Sequence, residues 1–227
     1  PVEQWAFEWL APWRYEREAG GHTLHLFVPE LAYGILPNAQ LGVKLPFAGV
    51  DEGAGGGREW GLSGLRVFAL YNLNTESLSL PAFSLRTDVA FPVGAAAGEG
   101  TRVTVKGIAT RSWGRTRAHV NAATTFGSDG APPAGEPPPS WWAGLAVDRT
   151  LYRQSVLLVA EAVTLQPEGT GAPLQVNMTA GARWQWTPTT VLHVGISRRL
   201  RSTGPDVALT VGWSKAFAFA WLMPSGR

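Results

Sequence analysis

A chain of 227 residues can bury one sizeable core, and its 45% hydrophobic content argues against intrinsic disorder. Charged residues make up only 16% of it while tryptophan alone occurs 11 times, so water-facing side chains are scarce. The net charge of +2 is too small to point to nucleic acid, and the absence of cysteine excludes disulfides, thiolate metal sites and cysteine nucleophiles.

The chain reads with a period of two. From the start, Trp5, Phe7, Trp9, Ala11, Trp13 and Tyr15 alternate with Glu8, Arg14 and Glu16. The pattern returns at Leu41, Val43, Leu45 and Phe47 against Lys44, then at Leu65, Val67, Ala69 and Tyr71 against Arg66. Phe83, Leu85, Val89 and Phe91 oppose Arg86 and Asp88, and residues 174–186 set Met178, Trp184 and Trp186 against Asn177, Thr179 and Arg183. These are strands with one apolar and one polar face.

About twelve such segments follow one another: 4–15, 22–34, 39–47, 60–72, 81–92, 101–111, 116–126, 141–148, 154–165, 174–186, 190–197 and 206–217. Most exceed the usual 5–6 residues of a soluble strand and match the roughly 9–11 of a tilted transmembrane one. The longest apolar run, 216–223, is far short of the roughly 20 residues of a spanning helix. Connections alternate in length, with loops expected at 48–59 and 127–140, tight turns at 35–38, 112–115 and 187–189, and one exception at 73–80. Together these features predict an all-β, antiparallel transmembrane β-barrel of about 12 strands over residues 1–217, with an extension at 218–227.

Tryptophans near segment ends fit a lipid-facing interfacial girdle: Trp5, Trp13, Trp60, Trp141, Trp142, Trp184, Trp186 and Trp213. The opposite parity directs Arg14, Glu30, Lys44, Arg66, Arg86, Asp88, Lys106, His119, Asn121, Glu161 and Arg183 into the lumen. A soluble β-sandwich of the carbohydrate-binding type is the alternative, but its core favours aliphatic residues and its outer face Lys and Glu.

Residues 29–35 (Pro-Glu-Leu-Ala-Tyr-Gly-Ile), 61–67 (Gly-Leu-Ser-Gly-Leu-Arg-Val), 80–82 leading into 91–94 (Phe-Pro-Val-Gly), and 209–217 (Leu-Thr-Val-Gly-Trp-Ser-Lys-Ala-Phe) are similar to a known pattern. They resemble the family of small outer-membrane proteins associated with meta-pathway phenol degradation, described as transporters. The family pattern often carries Asp where Gly64 stands, so no role of that Asp transfers. The resemblance implies a bacterial outer-membrane location and passage of small, aromatic or hydrophobic compounds; the start at Pro1, with no basic-then-apolar leader, gives the expectation that a signal peptide is already removed.

Catalytic and cofactor signals are few, so the expectation is a non-enzyme without cofactor or metal. His22 and His25 are an odd number apart and would face opposite sides of a strand. His119 and Asn121 share a face without a serine placed beside them, and the glycine run at 53–57 lacks the Lys-Ser or Lys-Thr of a phosphate loop. The cluster Arg198-Arg199-Leu200-Arg201, read as a loop, would meet lipopolysaccharide phosphates. The excess of basic residues among the lumen candidates predicts a preference for anionic or neutral solutes, against the alternative of a structural outer-membrane subunit with a plugged lumen. Alternation beyond Phe217 predicts a final strand running to Trp221. Phe219, Trp221, Leu222 and Met223 then become candidates for binding a periplasmic or membrane protein partner, or for anchoring at the interface.

Overall fold

The computed structural model describes residues 2–17, 22–51, 58–127, 130–134, 139–151, 155–167, 173–201 and 206–222. The expected glycine run at 53–57 and Met223 lie outside these residues. Fifteen strands form one antiparallel sheet: β1 (Ala6–Arg17), β2 (Thr23–Phe27), β3 (Glu30–Leu36), β4 (Ala39–Lys44), β5 (Phe47–Asp51), β6 (Arg58–Leu62), β7 (Leu65–Asn72), β8 (Ala82–Phe91), β9 (Arg102–Trp113), β10 (Thr116–Gly127), β11 (Trp141–Leu151), β12 (Val156–Gln166), β13 (Gln175–Thr187), β14 (Thr190–Arg201) and β15 (Val207–Ala218). β15 pairs with β1 from Ala6↔Ala218 to Arg17↔Val207, so the sheet closes on itself. A closed barrel has no second sheet to pack against, and the sandwich alternative is set aside.

Three pairs of strands are single crossings with a local break, which reduces fifteen strands to twelve crossings. β2 and β3 hold one register against β1, since Trp13↔Phe27 and Phe7↔Tyr33 lie on the same line of pairing. The break falls where Pro12 and Pro29 bring no N–H to the ladder. What remains is one bond per gap: Val28 N–H to the Pro12 carbonyl, Leu45 N–H to Pro29, and Ser63 N–H to Pro46, at 3.1, 3.0 and 2.8 Å. At Ser63-Gly64 the parity also changes. Leu62 faces out opposite Phe47 and so does Leu65 opposite Phe91, an odd number of residues later, and Gly64 accommodates the bulge at φ +145°.

The barrel is inverted relative to a soluble protein. Its outer face carries Trp13, Trp60, Trp141, Trp184, Trp186 and Trp213 together with Leu85, Val120, Leu145, Val194 and Val211, all exposed. The buried residues lie inside: Phe68, Pro46, Ala32, Ala48 and Ala208. Trp113, absent from the expected girdle, joins it on the outer face. Such an outer surface belongs in lipid. Small residues let the aromatics seat. A Cβ on Gly49 would come within 2.5 Å of the Trp60 indole, so that ring lies over the glycine of the neighbouring strand.

Several expectations are corrected. Trp5 is not in the first strand; it turns the chain at φ +67°, and residues 2–5 fold against the inner wall at Gly34. Trp142 cannot share a face with Trp141, because neighbouring residues of a strand point oppositely, and it faces inward opposite Ala123 and Leu165. Within the loop expected at 48–59, residues 48–51 and 58–59 are strand, because pairing resumes after Pro46; residues 52–57 lie outside the described residues. Arg198-Arg199-Leu200-Arg201 is strand, not loop, held by pairing with β13. The last strand stops at Ala218, and Ala220–Leu222 form one turn of 3-10 helix.

Among the described residues, short connections at 37–38, 114–115 and 188–189 define a turn end, while the longer connection 92–101 lies at the opposite, loop end. The exception, 73–81, is tied to the wall. Arg111, on the outer face of β9, donates to the carbonyls of Ser77 and Leu78 at 2.7 and 2.6 Å. Glu76 accepts the Ser112 N–H at 2.8 Å, beyond Thr110, where pairing with β8 has ended. Leu78 is left 99% exposed.

Two outcomes follow from this architecture. Val67→Arg puts a charge on the outer face near mid-strand and should impair assembly in lipid by about 2–4 kcal/mol, whereas labels at Arg66 and Phe68 should be inaccessible to a lipid-soluble quencher that reaches Leu65 and Val67. The Ser112 backbone hydrogen bond, aided by the Ser112 side chain and the Arg111 charge, holds the Glu76 carboxyl below its ordinary 4.5. A depressed carboxylate contributes its stabilisation above the unfolded value and loses it as pH falls through the folded one. Protection of the Ser112 amide from hydrogen exchange, relative to its intrinsic rate, should therefore persist at neutral pH and be lost only below pH 4.5, while Glu76→Ala lowers it throughout.

Candidate functional site in the barrel interior

Register decides which side chains meet inside. Arg14, Glu30, Lys44, Arg66, Arg86, Asp88, Lys106, His119, Asn121, Glu161 and Arg183 all lie on the inner face, as a chain of partners shows: Glu30↔Lys44↔Arg66 across β3, β4 and β7, then Arg86↔Lys106 across β8 and β9. Lys106 is opposite Ala123, His119 opposite Ala146, Asn121 opposite Gly144, Glu161 opposite Ala146 and Arg183 opposite His193.

Most of these charges are paired. Lys44 meets Glu30 at 2.7 Å directly across the ladder, and Arg14 meets Glu16 at 2.6 Å two residues along one face. Arg86 grips Asp88 with two parallel bonds of 2.8 and 2.7 Å, and its guanidinium stacks 3.8 Å from the ring centre of Phe68. That phenyl is 1% exposed and fits because Gly42 opposes it; a Cβ there would lie 2.3 Å from the ring. Arg117–Asp148 and Arg199–Asp206 bring these inner-wall pairs to five among the described residues. Counted whole, the inner wall carries Arg14, Lys44, Arg66, Arg86, Arg102, Lys106, Arg117, Arg183 and Arg199 against Glu8, Glu16, Glu30, Asp88, Asp148, Glu161 and Asp206 among the described residues, so it has a basic excess. The Lys106 ammonium sits 4.8 Å from the centre of the inward Trp142 ring, a cation–π contact.

His119 joins three strands. Its Nδ1 is 2.9 Å from Thr110 Oγ1 and its Nε2 is 2.9 Å from Asp148 Oδ2, while Arg117 holds the other Asp148 oxygen at 3.0 Å. Hydroxyl, imidazole and carboxylate follow in the order used by hydrolases. The backbone amides flanking Thr110, however, serve the β8 and β10 ladders and leave no oxyanion cradle beside the hydroxyl. The network cross-links β9, β10 and β11. Asn121 lies further along the same inner face.

Each end of the lumen is narrowed by chain. At the loop end Arg102, 3% exposed, donates to the carbonyls of Glu99, Gly130 and Ala131 at 2.9, 2.8 and 3.4 Å. Glu99 N–H donates to Ala131, Ala134 N–H to Ala96 and Ala96 N–H to Leu62, so two loops are stitched together and to the wall. Beneath them is a cavity of about 380 Å³ bordered by Arg14, Arg66, Asp88, Trp142, Glu161, Asn177 and Pro139. At the turn end the Val2 amide donates to Gln40 Oε1 at 2.6 Å, and a Cβ on Gly34 would strike the Glu3 carbonyl.

The tail builds onto the outer aromatic face. Phe7 stacks on Phe217 at 5.6 Å and meets Phe219 edge-on at 5.6 Å; Trp221 follows Phe219 at 6.1 Å and is 77% exposed. His25, off the inner face, packs between Tyr15 and Trp60 at 5.1 and 5.9 Å.

Arg102, Trp142, Thr110 and Asp148 escape sequence reading. Arg102 and Asp148 were visible as inward-parity charges in their segments, but nothing local says that one holds two loops and the other a histidine. Removing the Arg102 head group leaves three carbonyls without their cationic donor, at a cost of about 1.5–3 kcal/mol for each charged hydrogen bond that water does not replace. Arg102→Ala should leave the barrel folded, by heat-dependent gel mobility, while releasing the loops, read as faster limited proteolysis between residues 92 and 101.

No protein-family model and no curated protein matches the chain. Solved structures do. The chain is similar to the COG4313 outer membrane channel from Pseudomonas putida F1, with a TM-score of 0.72 over 96% of this chain and 97% of that one at 12% identity. It is also similar to the KdgM porin, with a TM-score of 0.61 over 92% and 99% at 12% identity, and to the beta domain of the Bordetella autotransporter BrkA, at 0.55 over 93% and 98% with 13% identity. The fold is therefore that of outer-membrane β-barrels.

Proposed function

We propose that this chain is a passive outer-membrane channel for small solutes, with a preference for anions. The observation that carries it is the excess of arginine and lysine over carboxylates on an inner wall that borders a cavity of about 380 Å³. In a narrow lumen with low-dielectric walls, a net charge on the wall focuses the field and raises the local concentration of counter-ions. A similar barrel, the KdgM porin, is described in complex with oligogalacturonate, an acidic sugar chain, and that supports an anionic cargo. The resemblance to the phenol-degradation family supports an aromatic or hydrophobic body on the solute, and Trp142 beneath Lys106 offers such a body a planar surface.

In this reading the loop end faces the exterior and the turn end, with both termini, the periplasm. A second reading draws on the five ion pairs and the stitched loops: a structural subunit whose lumen is plugged, with Phe219, Trp221 and Leu222 presenting a face to a periplasmic or membrane protein.

Reversal potentials in a salt gradient across planar bilayers separate these readings. Anion selectivity is expected, reduced in the double variant Arg66→Gln with Lys106→Gln. Cation selectivity overturns the anionic cargo, and absence of conductance in both wild type and Arg102→Ala favours the plugged subunit.

A further inference from the structure

The cluster at 198–201 divides between the two sides of the wall. Arg199 points inward and pairs with Asp206, opposite Asn177 on the inner face. Arg198, one residue earlier, pairs in register with Val207, and Val207 pairs with Arg17 across the closing seam. Arg198 and Arg17 thus occupy one row on the outer face, separated by a single strand and so about 10 Å apart. Arg201 joins them past the register shift at Val176-Asn177, opposite Val176.

All three guanidiniums are exposed, and among the described residues none has a hydrogen bond or ion pair. They stand at the loop end, directly above the apolar Ile196, Leu209 and Val211 of the same strands. Beside Arg198, Arg201 and Val207 a cleft of about 670 Å³ opens over the rim.

Single cations at an interface snorkel toward water and need no partner. At the turn end the outer-facing Arg149 and Lys215 fit that description, lying on strands apart from each other. Three like charges gathered on two strands either side of β15 are different, because they repel one another unless an anion lies between them. Arginine matches the planar, bidentate geometry of phosphate, and the acyl chains of a lipid would run down the apolar stripe below.

We propose that Arg17, Arg198 and Arg201 form a binding site for the phosphates of lipid A, the phosphorylated glycolipid of the outer leaflet. The site rests on the outer-membrane placement proposed above but not on conduction, since none of its residues lines the lumen.

The test uses the full chain refolded in detergent, titrated with lipid A, with its dephosphorylated form and with phosphatidylglycerol, and binding read by native mass spectrometry. Lipid A should bind in preference to both other lipids. The variant R17Q/R198Q/R201Q should weaken it by about a hundredfold, roughly fivefold per arginine, while R149Q/K215Q leaves it unchanged. Heat-dependent gel mobility confirms that each variant is folded, and reversal potentials equal to wild type in the triple variant keep this result separate from the channel reading. Equal binding by the triple variant, equal binding of dephosphorylated lipid A, or equal binding of phosphatidylglycerol each overturns the proposal.

Discussion

Inside a bilayer no water is present to satisfy a backbone amide or carbonyl, so a β-structure can span it only by closing on itself. The pairing of β15 with β1 over twelve residue pairs is therefore the contact on which everything else depends. Closure fixes which residues lie inside, and it allows an outer face made of tryptophan, leucine and valine that a water-soluble sheet could not carry. It also explains how the wall tolerates its prolines. Pro12, Pro29 and Pro46 fall in successive gaps at one height, yet in each gap a proline carbonyl still accepts one N–H, so the ladder is thinned without being opened.

Within that wall the electrostatics follow a simple geometry. Residues directly across a ladder or two apart along a strand are close enough to pair, and both relations occur: Lys44–Glu30 and Arg117–Asp148 across, Arg14–Glu16 and Arg86–Asp88 along. Such pairs satisfy charges that would otherwise face a low-dielectric wall, and they fix side chains so that the lumen has a definite shape. The net charge of the wall sets the field inside the lumen. Phe68 shows how closely packed the inner wall is, since its ring is sandwiched between the Arg86 guanidinium and the space left by Gly42.

The alternation of side chains made the strands and their faces legible, because a period of two is imposed by the backbone and survives any tertiary context. All twelve crossings lie where that period was read. What was not legible depends on contacts between distant segments. Parity holds only within an unbroken strand, and the bulge at Ser63-Gly64 resets it, so Leu62 and Leu65 share a face that counting would separate. Trp142 was misread because composition was allowed to override parity, two adjacent tryptophans being taken as one girdle. Arg199 and Arg198 were a single cluster in sequence, whereas strand geometry sends one to Asp206 in the lumen and the other to the outer face. The role of Arg102 could not be read at all, since its acceptors are loop carbonyls up to 29 residues away.

The end of the chain shows how closure also sets strand length. The apolar alternation runs on to Trp221, and by pattern alone the last strand should run there. A strand extends only while it has neighbours, and on this seam both neighbours stop. β1 begins at Ala6 because Trp5 turns the preceding residues inward, and β14 begins at Thr190, with the Thr189 carbonyl accepting one last bond from Ala216. Ala218 is thus the final residue with a partner. Continuing as a strand would leave both edges of residues 219–221 unpaired, so the chain coils into a short 3-10 turn that makes its own hydrogen bond, Leu222 N–H to the Phe219 carbonyl. The aromatic rings that the pattern would have placed along a longer strand instead gather against Phe7 and Phe217, extending the outer aromatic surface by a few ångströms at the turn end.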